Sequence, residues 1–241
     1  MNKEELTFRT ILACFPLRQL GEDGMPKNFA SAAVVRYNNK IVILSVFHAT
    51  KDKTNWAVEV KSNFKTGTYL KELGLMGAAV ESNINSENID RVDFSYNTLP
   101  NDFKSYHQVI DDETGCIYEH ERVILDSAFD NKPSKENQYS FFGQTEFRFQ
   151  DKYVIPQSKL IMNMQYVAEE DQYYVFKLPF SHPGHEYFRG TSGAPVLDNN
   201  GNLVSLVCKG DKEKDLIFGL KLNKYKSLID IQIDNVINNG M

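Results

Sequence analysis

The apolar residues of this chain fall in short runs that are separated by clusters of Asn, Gly and Asp. The runs are rich in Val, Ile, Tyr and Phe, which strands favour, and helical spacing is weak almost everywhere. The pattern predicts an all-β protein. The last stretch, Leu222–Ile237, differs because its apolar residues recur at intervals, and it predicts a closing helix.

Two hairpins are the clearest local predictions. Ala32–Tyr37 and Ile41–Phe47 flank two asparagines, and asparagine tolerates the positive φ that tight hairpin turns require. Pro195–Leu197 and Leu203–Val207 flank Asp198–Asn202, which contains an Asn-Gly pair, a strong turn signal. Each pair of runs is therefore expected to form two antiparallel strands.

Further runs in the second half of the chain have the composition of strands and are separated by Gly and Pro. These runs are Tyr139–Phe142, Tyr153–Ile155, Leu160–Tyr166 and Tyr173–Leu178. The segment Thr98–Lys135 mixes charges with isolated apolar residues, and we interpret it as the crossing between two lobes.

The overall composition excludes several classes of protein. At 241 residues, with 41% hydrophobic and 24% charged residues, the chain suits one large all-β unit or two closely packed lobes. Its net charge is −5, and Lys and Arg are scattered among acids, so we expect no nucleic-acid partner. No apolar run approaches the roughly 18 residues of a membrane helix, so we expect no membrane span.

The N-terminus and the cysteines indicate a cytoplasmic protein. Acids and a short apolar stretch, Ile11–Phe15, stand where a signal peptide would have a basic segment and a longer apolar one. The three cysteines, Cys14, Cys116 and Cys208, are widely separated and odd in number, which fits neither a disulfide framework nor a zinc motif. A reducing cytoplasm is the expected location, although a removed leader would leave the same sequence.

The strongest chemical signal is the segment around Ser192. A serine hydroxyl is a weak nucleophile on its own, so a catalytic serine needs a neighbouring base and donors for the oxyanion. Gly190 and Gly193 flank Ser192 and allow a tight turn that points backbone N–H groups inward. An isolated Gly-x-Ser-Gly is more often a structural turn, but here Pro195 and a hairpin follow it, late in a strand-rich chain.

The segment Gly190–Pro195, with the sequence Gly-Thr-Ser-Gly-Ala-Pro, resembles the active-site serine loop of the chymotrypsin-like serine peptidases. That family implies a histidine at the end of an early strand and an aspartate that opens a short apolar strand. His48, in Ser-Val-Phe-His-Ala, and Asp93, in Asp-Phe-Ser-Tyr, match both features. Their order, His then Asp then Ser, is the order found on this fold. The resemblance spans roughly residues 30–220.

The resemblance implies an all-β fold of two six-stranded antiparallel β-barrels, which we place at residues 1–110 and 111–241. The first barrel would carry His48 and Asp93, and the second would carry Ser192. The implied mechanism is acyl transfer, with His48 as general base, Asp93 orienting it, and the amides of Gly190 and Ser192 binding the oxyanion. This mechanism needs no metal and no organic cofactor, and no clustered Cys and His residues suggest one.

Each of these assignments has an alternative. His48 on its own could be a packed histidine at a strand end. Asp93 is preferred to the other acids because of the residues that follow it. The other acids and histidines that could fill these roles are Asp90, Asp102, Asp111, His107, His120, His182 and His185. His182 and His185 precede the serine on the same loop, which favours a place in the wall of the pocket or on the surface over the role of the base.

The chain departs from the digestive and clotting members of the family at Thr191. Those enzymes have an aspartate there that pairs with a new amino terminus after zymogen cleavage, so we expect no activation by that route. With its sparse cysteines, the chain resembles the bacterial and intracellular branches, such as HtrA-like and glutamyl-endopeptidase-like enzymes. Only about twenty residues follow Leu220, so we expect no PDZ domain in this chain.

Specificity is read from two short segments that the family places along the substrate. Glu186, six residues before Ser192, would lie at the base of the primary pocket and favour Arg or Lys, unless it is an exposed acid on its loop. Val207, Cys208 and Lys209 would form an edge strand that offers main-chain hydrogen bonds to an extended peptide. Cys208 there is expected to be a small packed residue.

The function predicted from the sequence is therefore that of a serine endopeptidase acting on a protein or peptide substrate. Because unrestrained proteolysis would harm a cell, we expect gating by an activating partner protein, by an induced conformational change, or by narrow specificity. The alternative is a catalytically silent relative used as a binding or regulatory module. An esterase of the α/β-hydrolase type would have the histidine last, so the order of the residues argues against it.

Overall fold

The structure is a computed structural model, and it describes residues 1–24, 26–51, 55–63, 67–74, 76–82, 89–111, 113–127, 129–150 and 153–238. The strands of the first half are β1 (Cys14–Leu20), β2 (Pro26–Tyr37), β3 (Lys40–Ser45), β4 (Trp56–Asn63), β5 (Gly67–Gly74), β6 (Gly77–Ser82), β7 (Ile89–Leu99), β8 (Tyr106–Ile110), β9 (Ile117–Glu121) and β10 (Leu125–Asp126). The strands of the second half are β11 (Gln138–Gln150), β12 (Tyr153–Glu170), β13 (Tyr173–Lys177), β14 (Pro195–Asp198), β15 (Leu203–Asp211) and β16 (Leu216–Lys221). The helices are α1 (Lys3–Leu12), α2 (Phe47–Thr50), α3 (His185–Phe188), a 3-10 turn (Asn223–Tyr225) and α4 (Lys226–Asn238).

The first ten strands form one sheet, and the last six form a closed barrel. The path of the sheet is β6-β7-β3-β2-β1-β4-β8-β9, with β10 paired to β2 and β5 paired to β4. The barrel order is β11-β12-β13-β16-β15-β14. The all-β prediction and the six-stranded second barrel are thus confirmed, while the first sheet, within the described residues, stays open and has more strands than the six we expected.

The sheet and the barrel meet later in the chain than the domain boundary predicted at residue 110. Strand β9 and strand β10 still belong to the first sheet, and the barrel begins at Gln138. The division of the chain into two domains, residues 1–110 and residues 111–241, stays a prediction. The change of sheet lies between Asp126 and Gln138, which overlaps the end of the segment Thr98–Lys135 that we interpreted as the crossing.

The predicted hairpins and the closing helix are confirmed, and one helix of more than four residues was missed. Strands β2–β3 and β14–β15 are antiparallel hairpins at the predicted places, and α4 lies within two residues of the predicted end. The missed helix is α1, in which the side chain of Asn2 accepts from the Glu5 amide at 2.9 Å and Glu5 accepts from the Asn2 amide at 3.1 Å. This reciprocal cap was readable as Asn-x-x-Glu at the start of the chain.

Helix α1 packs on the second barrel although it begins the first half of the chain. Arg9 Nε donates to the carbonyl of Gly201 at 3.0 Å, and the hydroxyls of Thr10 and Ser140 lie 2.9 Å apart. No helix in the described part of the chain is long and apolar enough to cross a membrane.

One apolar cluster joins the two halves of the chain behind the predicted site. It contains Leu44 and Phe94 from the sheet, Leu206 from the barrel, and Tyr225 from the turn before α4. The rings of Phe94 and Tyr225 stack with their centroids 4.7 Å apart. Buried apolar surface of this kind is the main favourable term in folding, so the two halves are expected to hold one another in place.

A buried ionic cluster lies between β1, β4 and the segment after β9. The Glu59 carboxylate contacts the guanidinium groups of Arg18 and Arg122, the latter at 3.7 Å, and all three side chains are buried. Arg122 also donates to the carbonyl of Cys14 at 2.6 Å. Loss of one partner from such a cluster leaves a buried charge uncompensated, which is far more costly than loss of a surface ion pair.

The β2–β3 hairpin gives a test of the turn assignment. Asn38 and Asn39 have φ of 46° and 59°, a conformation that costs an ordinary residue roughly 1–2 kcal/mol. We expect Asn39→Val to lower the free energy of unfolding by about that amount and Asn39→Gly to leave it unchanged or raise it. Urea unfolding of the two variants and the native chain checks this, and equal stability of the Val and Gly variants would contradict the assignment.

His107, on β8, predicts a loss of stability in mild acid. Burial and the positive charge of Arg122 lower the pKa of its imidazole from 6.5 to about 4, with Glu59 opposing and His120 adding to the shift. Between these values the unfolded chain binds a proton that the folded chain does not, so the free energy of unfolding falls as the pH is lowered through this window.

The variant His107→Gln should therefore lose less stability than the native chain between pH 6.5 and pH 4. Urea unfolding of both proteins at several pH values in this range measures the difference. Parallel curves for the two proteins would show that His107 is not responsible.

Candidate active site

His48 is placed by the end of β3 and the short helix α2. Its backbone N–H donates to Asp93 Oδ1 at 2.7 Å, and Thr50, two residues later, donates its hydroxyl to Ser95 on β7 at 2.9 Å. The two contacts hold α2 against β7. The imidazole projects toward solvent with 45% of the side chain exposed, so a substrate can reach it.

Asp93 lies inside β7, which pairs with β3 and so lies beside the strand that leads to His48. Its Oδ2 is 2.7 Å from His48 Nδ1. We expected Asp93 to open a short strand, but β7 begins four residues earlier, at Ile89. Arg91 and Ser95, on either side of Asp93 along β7, pair with β6, and Ser95 also pairs with β3, so Asp93 is held between paired residues.

Ser192 completes a line of three side chains. Its Oγ is 3.0 Å from His48 Nε2, so the two ring nitrogens of His48 face a carboxylate and a hydroxyl on opposite sides. The structure thus brings together the three residues that the sequence singled out, from α2, β7 and the loop before β14. This arrangement allows a proton to pass from the hydroxyl to Nε2 while Nδ1–H remains bonded to the carboxylate.

The loop that carries Ser192 is held by backbone contacts from both halves of the chain. Ser31, on β2, donates its N–H to the carbonyl of Ser192 at 2.9 Å. On the barrel side, Gly193 donates to the carbonyl of Val207 at 2.7 Å, and Val207 donates to Ala194 at 2.8 Å. Gly193 has φ of 88°, and a Cβ there would lie 2.1 Å from the Ser31 carbonyl oxygen, so only glycine fits.

The residues just before Ser192 form a turn with type II backbone angles. Arg189 has φ −57° and ψ 127°, Gly190 has φ 91°, and Thr191 N–H donates to the Phe188 carbonyl at 3.0 Å. A type II turn requires positive φ at its third residue, which glycine supplies. Within the described residues, the amides of Gly190 and Ser192 donate to no other group of the protein, so both can serve a ligand oxygen beside Ser192 Oγ.

The contact of Cys208 with Asp93 is the feature of the site that the sequence did not reveal. It was expected to be a packed residue beside the substrate, and it is buried, but its thiol also donates to Asp93 Oδ2 at 2.8 Å. Tyr173 contacts the same thiol and accepts a hydrogen bond from the Gln172 side chain at 2.9 Å. Burial, with the nearby Asp93 charge, raises the pKa of the Cys208 thiol, so the thiol stays protonated and able to donate.

The charge of Asp93 is favoured by its partners. Burial alone would raise the pKa of this carboxyl, but the hydrogen bonds and charge interaction with His48, together with the bond from Cys208, lower it below its ordinary value. An ionised Asp93 keeps the proton of His48 on Nδ1 and leaves Nε2 free to accept one. The same three residues, His48, Asp93 and Cys208, are the one group of potential metal ligands found among the described residues.

A cleft of about 300 Å³ opens beside Ser192 and His48. The other residues that line it are His185, Glu186, Phe188, Arg189, Thr191, Val207, Cys208, Lys209, Gly210 and Ile217. Strand β15 pairs with β14 only as far as Leu206, so Cys208 and Lys209 lie beyond that pairing. The backbone of Val207 is already bonded to the serine loop, and Val207 is therefore not available to bind a peptide as we predicted.

Glu186 does not have the environment that we predicted for the base of a pocket. Its side chain is 84% exposed and lies 3.6 Å from the guanidinium of Arg189, the residue that follows the short helix α3. Surface ion pairs of this kind contribute little, and water screens the charge. The structure therefore lacks, at this position, the buried acid on which the predicted preference for Arg or Lys depended.

The remaining candidates have other contacts. Asp111 accepts from the amides of Glu113 and Thr114 and caps a turn, and Asp102 is exposed, while the side chain of Asp90 lies outside the described residues. His107 and His120 lie opposite each other on β8 and β9. His182 is buried against Phe188 and accepts the Gly184 amide at Nδ1, and His185 lines the cleft as expected.

Comparison with known proteins identifies the fold. Neither protein-family models nor curated protein sequences match this chain. Solved structures do match it, among them a serine endoprotease from Yersinia pestis, with a TM-score of 0.59 and 10% identity over 97% of this chain and 67% of that one. Human heparin binding protein matches with a TM-score of 0.57 and 9% identity over 94% of this chain and 93% of its own.

The chain therefore has the fold of the chymotrypsin-like serine proteases, as the sequence resemblance predicted. At these identities the likeness establishes the fold alone. One neighbour is described as an endoprotease and the other as a heparin-binding protein, so catalysis in this chain has to be argued from its own residues.

Proposed function

We propose that this chain is a serine endopeptidase that hydrolyses peptide bonds through Ser192, His48 and Asp93. The observation that carries the proposal is the line of two short contacts through one imidazole, 2.7 Å to the carboxylate and 3.0 Å to the hydroxyl. A packed histidine at a strand end would need only one partner. The exposed side chain and the adjoining cleft add access for a substrate.

In the proposed reaction, Ser192 Oγ attacks the carbonyl carbon of the scissile bond as its proton passes to His48 Nε2. The imidazolium that results is stabilised by the ionised Asp93, and it then gives the proton to the leaving amine. Water repeats the sequence and releases the acyl group from Ser192. General acid–base transfer of this kind contributes roughly 10²–10⁴-fold to the rate.

The amides of Gly190 and Ser192 are the proposed donors to the oxyanion. Both are left unpaired by the turn at Gly190 and lie next to the nucleophile in the chain. Backbone donors that are already in place need no reorganisation when charge develops, which is why they are effective. This arrangement supports a working catalyst over a relative that keeps only the fold.

The proposed substrate is an extended segment of a protein or peptide. It would pair with β15 at Cys208 and Lys209, beyond the last residue bonded to β14, and place one side chain in the cleft. A cytoplasmic location, with activity limited by narrow specificity or by an activating partner, remains part of the proposal. The net charge of −5 disfavours a polyanion such as heparin as the ligand.

Labelling with a fluorophosphonate probe tests the nucleophile directly. We expect one label per native chain and none on Ser192→Ala or His48→Ala, since the probe reacts only with an activated serine. Ser158→Ala, at an exposed position of β12, and His120→Ala are matched controls that should label like the native chain.

Two outcomes would revise the proposal. A folded native chain that takes no label would favour the silent binding or regulatory module, and labelling that survives Ser192→Ala would place the nucleophile elsewhere. A chain that labels but does not digest unrelated unfolded proteins would fit narrow specificity or gating.

Gly190→Ala tests the oxyanion turn apart from the triad. A Cβ at this residue would lie 2.5 Å from the carbonyl oxygen of Gln144, and φ of 91° disfavours any side chain. We expect the labelling rate to fall by roughly 10²–10³-fold, the effect of losing one oxyanion donor. Gly184→Ala is the control, because φ there is also positive, at 117°, but the space is open. Equal losses in both variants would show that backbone strain alone is responsible.

A further inference from the structure

The three polar side chains around Asp93 form a donor set that suits a thiophilic divalent cation. Asp93 Oδ2 lies 2.7 Å from His48 Nδ1 and 2.8 Å from Cys208 Sγ, and one ligand atom of each residue lies within 4.8 Å of the others. Imidazole, carboxylate and thiolate are the three ligand types that Zn²⁺ takes in proteins. The thiol is the unusual member, because the proposed hydrolysis makes no use of sulfur.

The surroundings of this set favour a cation. Among the described residues, Asp93 makes an ion pair with His48 and with no Lys or Arg. Lys209, the next residue after Cys208, has its Nζ over the rings of Tyr173 and Phe218, 4.5 and 5.0 Å from their centroids, and its charge also acts on the Cys208 thiol. A thiolate and a carboxylate together would match the charge of a divalent ion, and burial strengthens that attraction.

The site can be reached from solvent, because the side chains of His48 and Asp93 are 45% and 20% exposed. The three ligands come from α2, β7 and β15, and Cys208 lies where the register between β15 and β16 is irregular. His48 is the exposed member, and both His48 and Cys208 line the cleft. Tetrahedral Zn²⁺ places its ligand atoms roughly 3.3–3.6 Å apart, so the close pairs would have to separate by less than about 1 Å.

We propose that Zn²⁺ binds to His48 Nδ1, Asp93 and Cys208 Sγ and holds the protein in an inactive state. On binding, the Cys208 thiol releases its proton to solvent, and the Nδ1 proton of His48 is replaced by one on Nε2, so the imidazole stays neutral. No electron is transferred. Nε2–H can no longer accept the Ser192 proton, and this inhibitory consequence, unlike the binding itself, rests on the proposed function.

Metal binding is measured without reference to activity, with Co²⁺ as a spectroscopic probe. The native chain should show a thiolate-to-cobalt charge-transfer band in the near ultraviolet that saturates at one equivalent and disappears when Zn²⁺ is added. Cys208→Ser keeps a donor to Asp93 but should lose the band, and Cys116→Ser, at an exposed cysteine, should keep it. His48→Gln, at an exposed side chain where folding is not at risk, should weaken Zn²⁺ binding by at least roughly tenfold in calorimetry.

The effect on the proposed activity is measured separately. Zn²⁺ should suppress fluorophosphonate labelling of the native chain, a chelator should restore it, and Cys208→Ser should need at least roughly tenfold more Zn²⁺ for the same suppression relative to its own metal-free level. Absence of the cobalt band in the native chain, or its persistence in Cys208→Ser, would overturn the metal site. A native chain that shows the band but never labels would retain the metal site and remove the proposed function.

Discussion

The hydrogen bonds made by Ser31 join the two halves of the active site. This residue of β2 uses its N–H on the carbonyl of Ser192, at 2.9 Å, and its hydroxyl on the carbonyl of Gly190, at 3.0 Å. Its carbonyl accepts from Ser45 on the strand that leads to His48, at 2.8 Å. The nucleophile loop and the histidine strand are therefore bonded to the same backbone residue, and the distance between Ser192 and His48 depends on it. Because Ser31 is fully buried, water cannot replace these bonds at little cost.

Burial of Asp93 is the second constraint, and it acts on charge. Moving a carboxylate out of water is unfavourable unless its oxygens are paired. Here Oδ1 accepts from the His48 amide, and Oδ2 accepts from the His48 ring and the Cys208 thiol. Asp93 is followed on β7 by Phe94, whose ring stacks on Tyr225 in the turn before α4. The position of the proton on His48 thus depends on packing that reaches as far as the turn before α4.

The parts of this molecule that could be predicted from the sequence are those fixed by local chemistry. Few residues tolerate the backbone conformations of the Asn pair between β2 and β3 and of the glycines around Ser192. The hairpin and the serine loop could therefore be predicted from the sequence. The bond from Cys208 to Asp93 joins residues 115 positions apart and has no local signature. The predicted place of Glu186 at the base of the pocket differs from the structure for a related reason. That place was inferred by counting back from Ser192, whereas helix α3 turns the Glu186 side chain into solvent.

The thiol at Cys208 links the two proposed states of the site. As a protonated donor it stabilises the ionised Asp93, and ionised Asp93 is what keeps the His48 proton on Nδ1 and Nε2 open to Ser192. A serine hydroxyl could make the same bond, but it would be a poor ligand for a soft cation. A thiol at this position therefore supports proton transfer from Ser192 to His48 as a hydroxyl would, and it also supplies a sulfur ligand for a cation. Since both states need the same lone pairs of Asp93 and the same Nδ1, they exclude each other, and metal binding at this site would oppose catalysis without any movement of the strands.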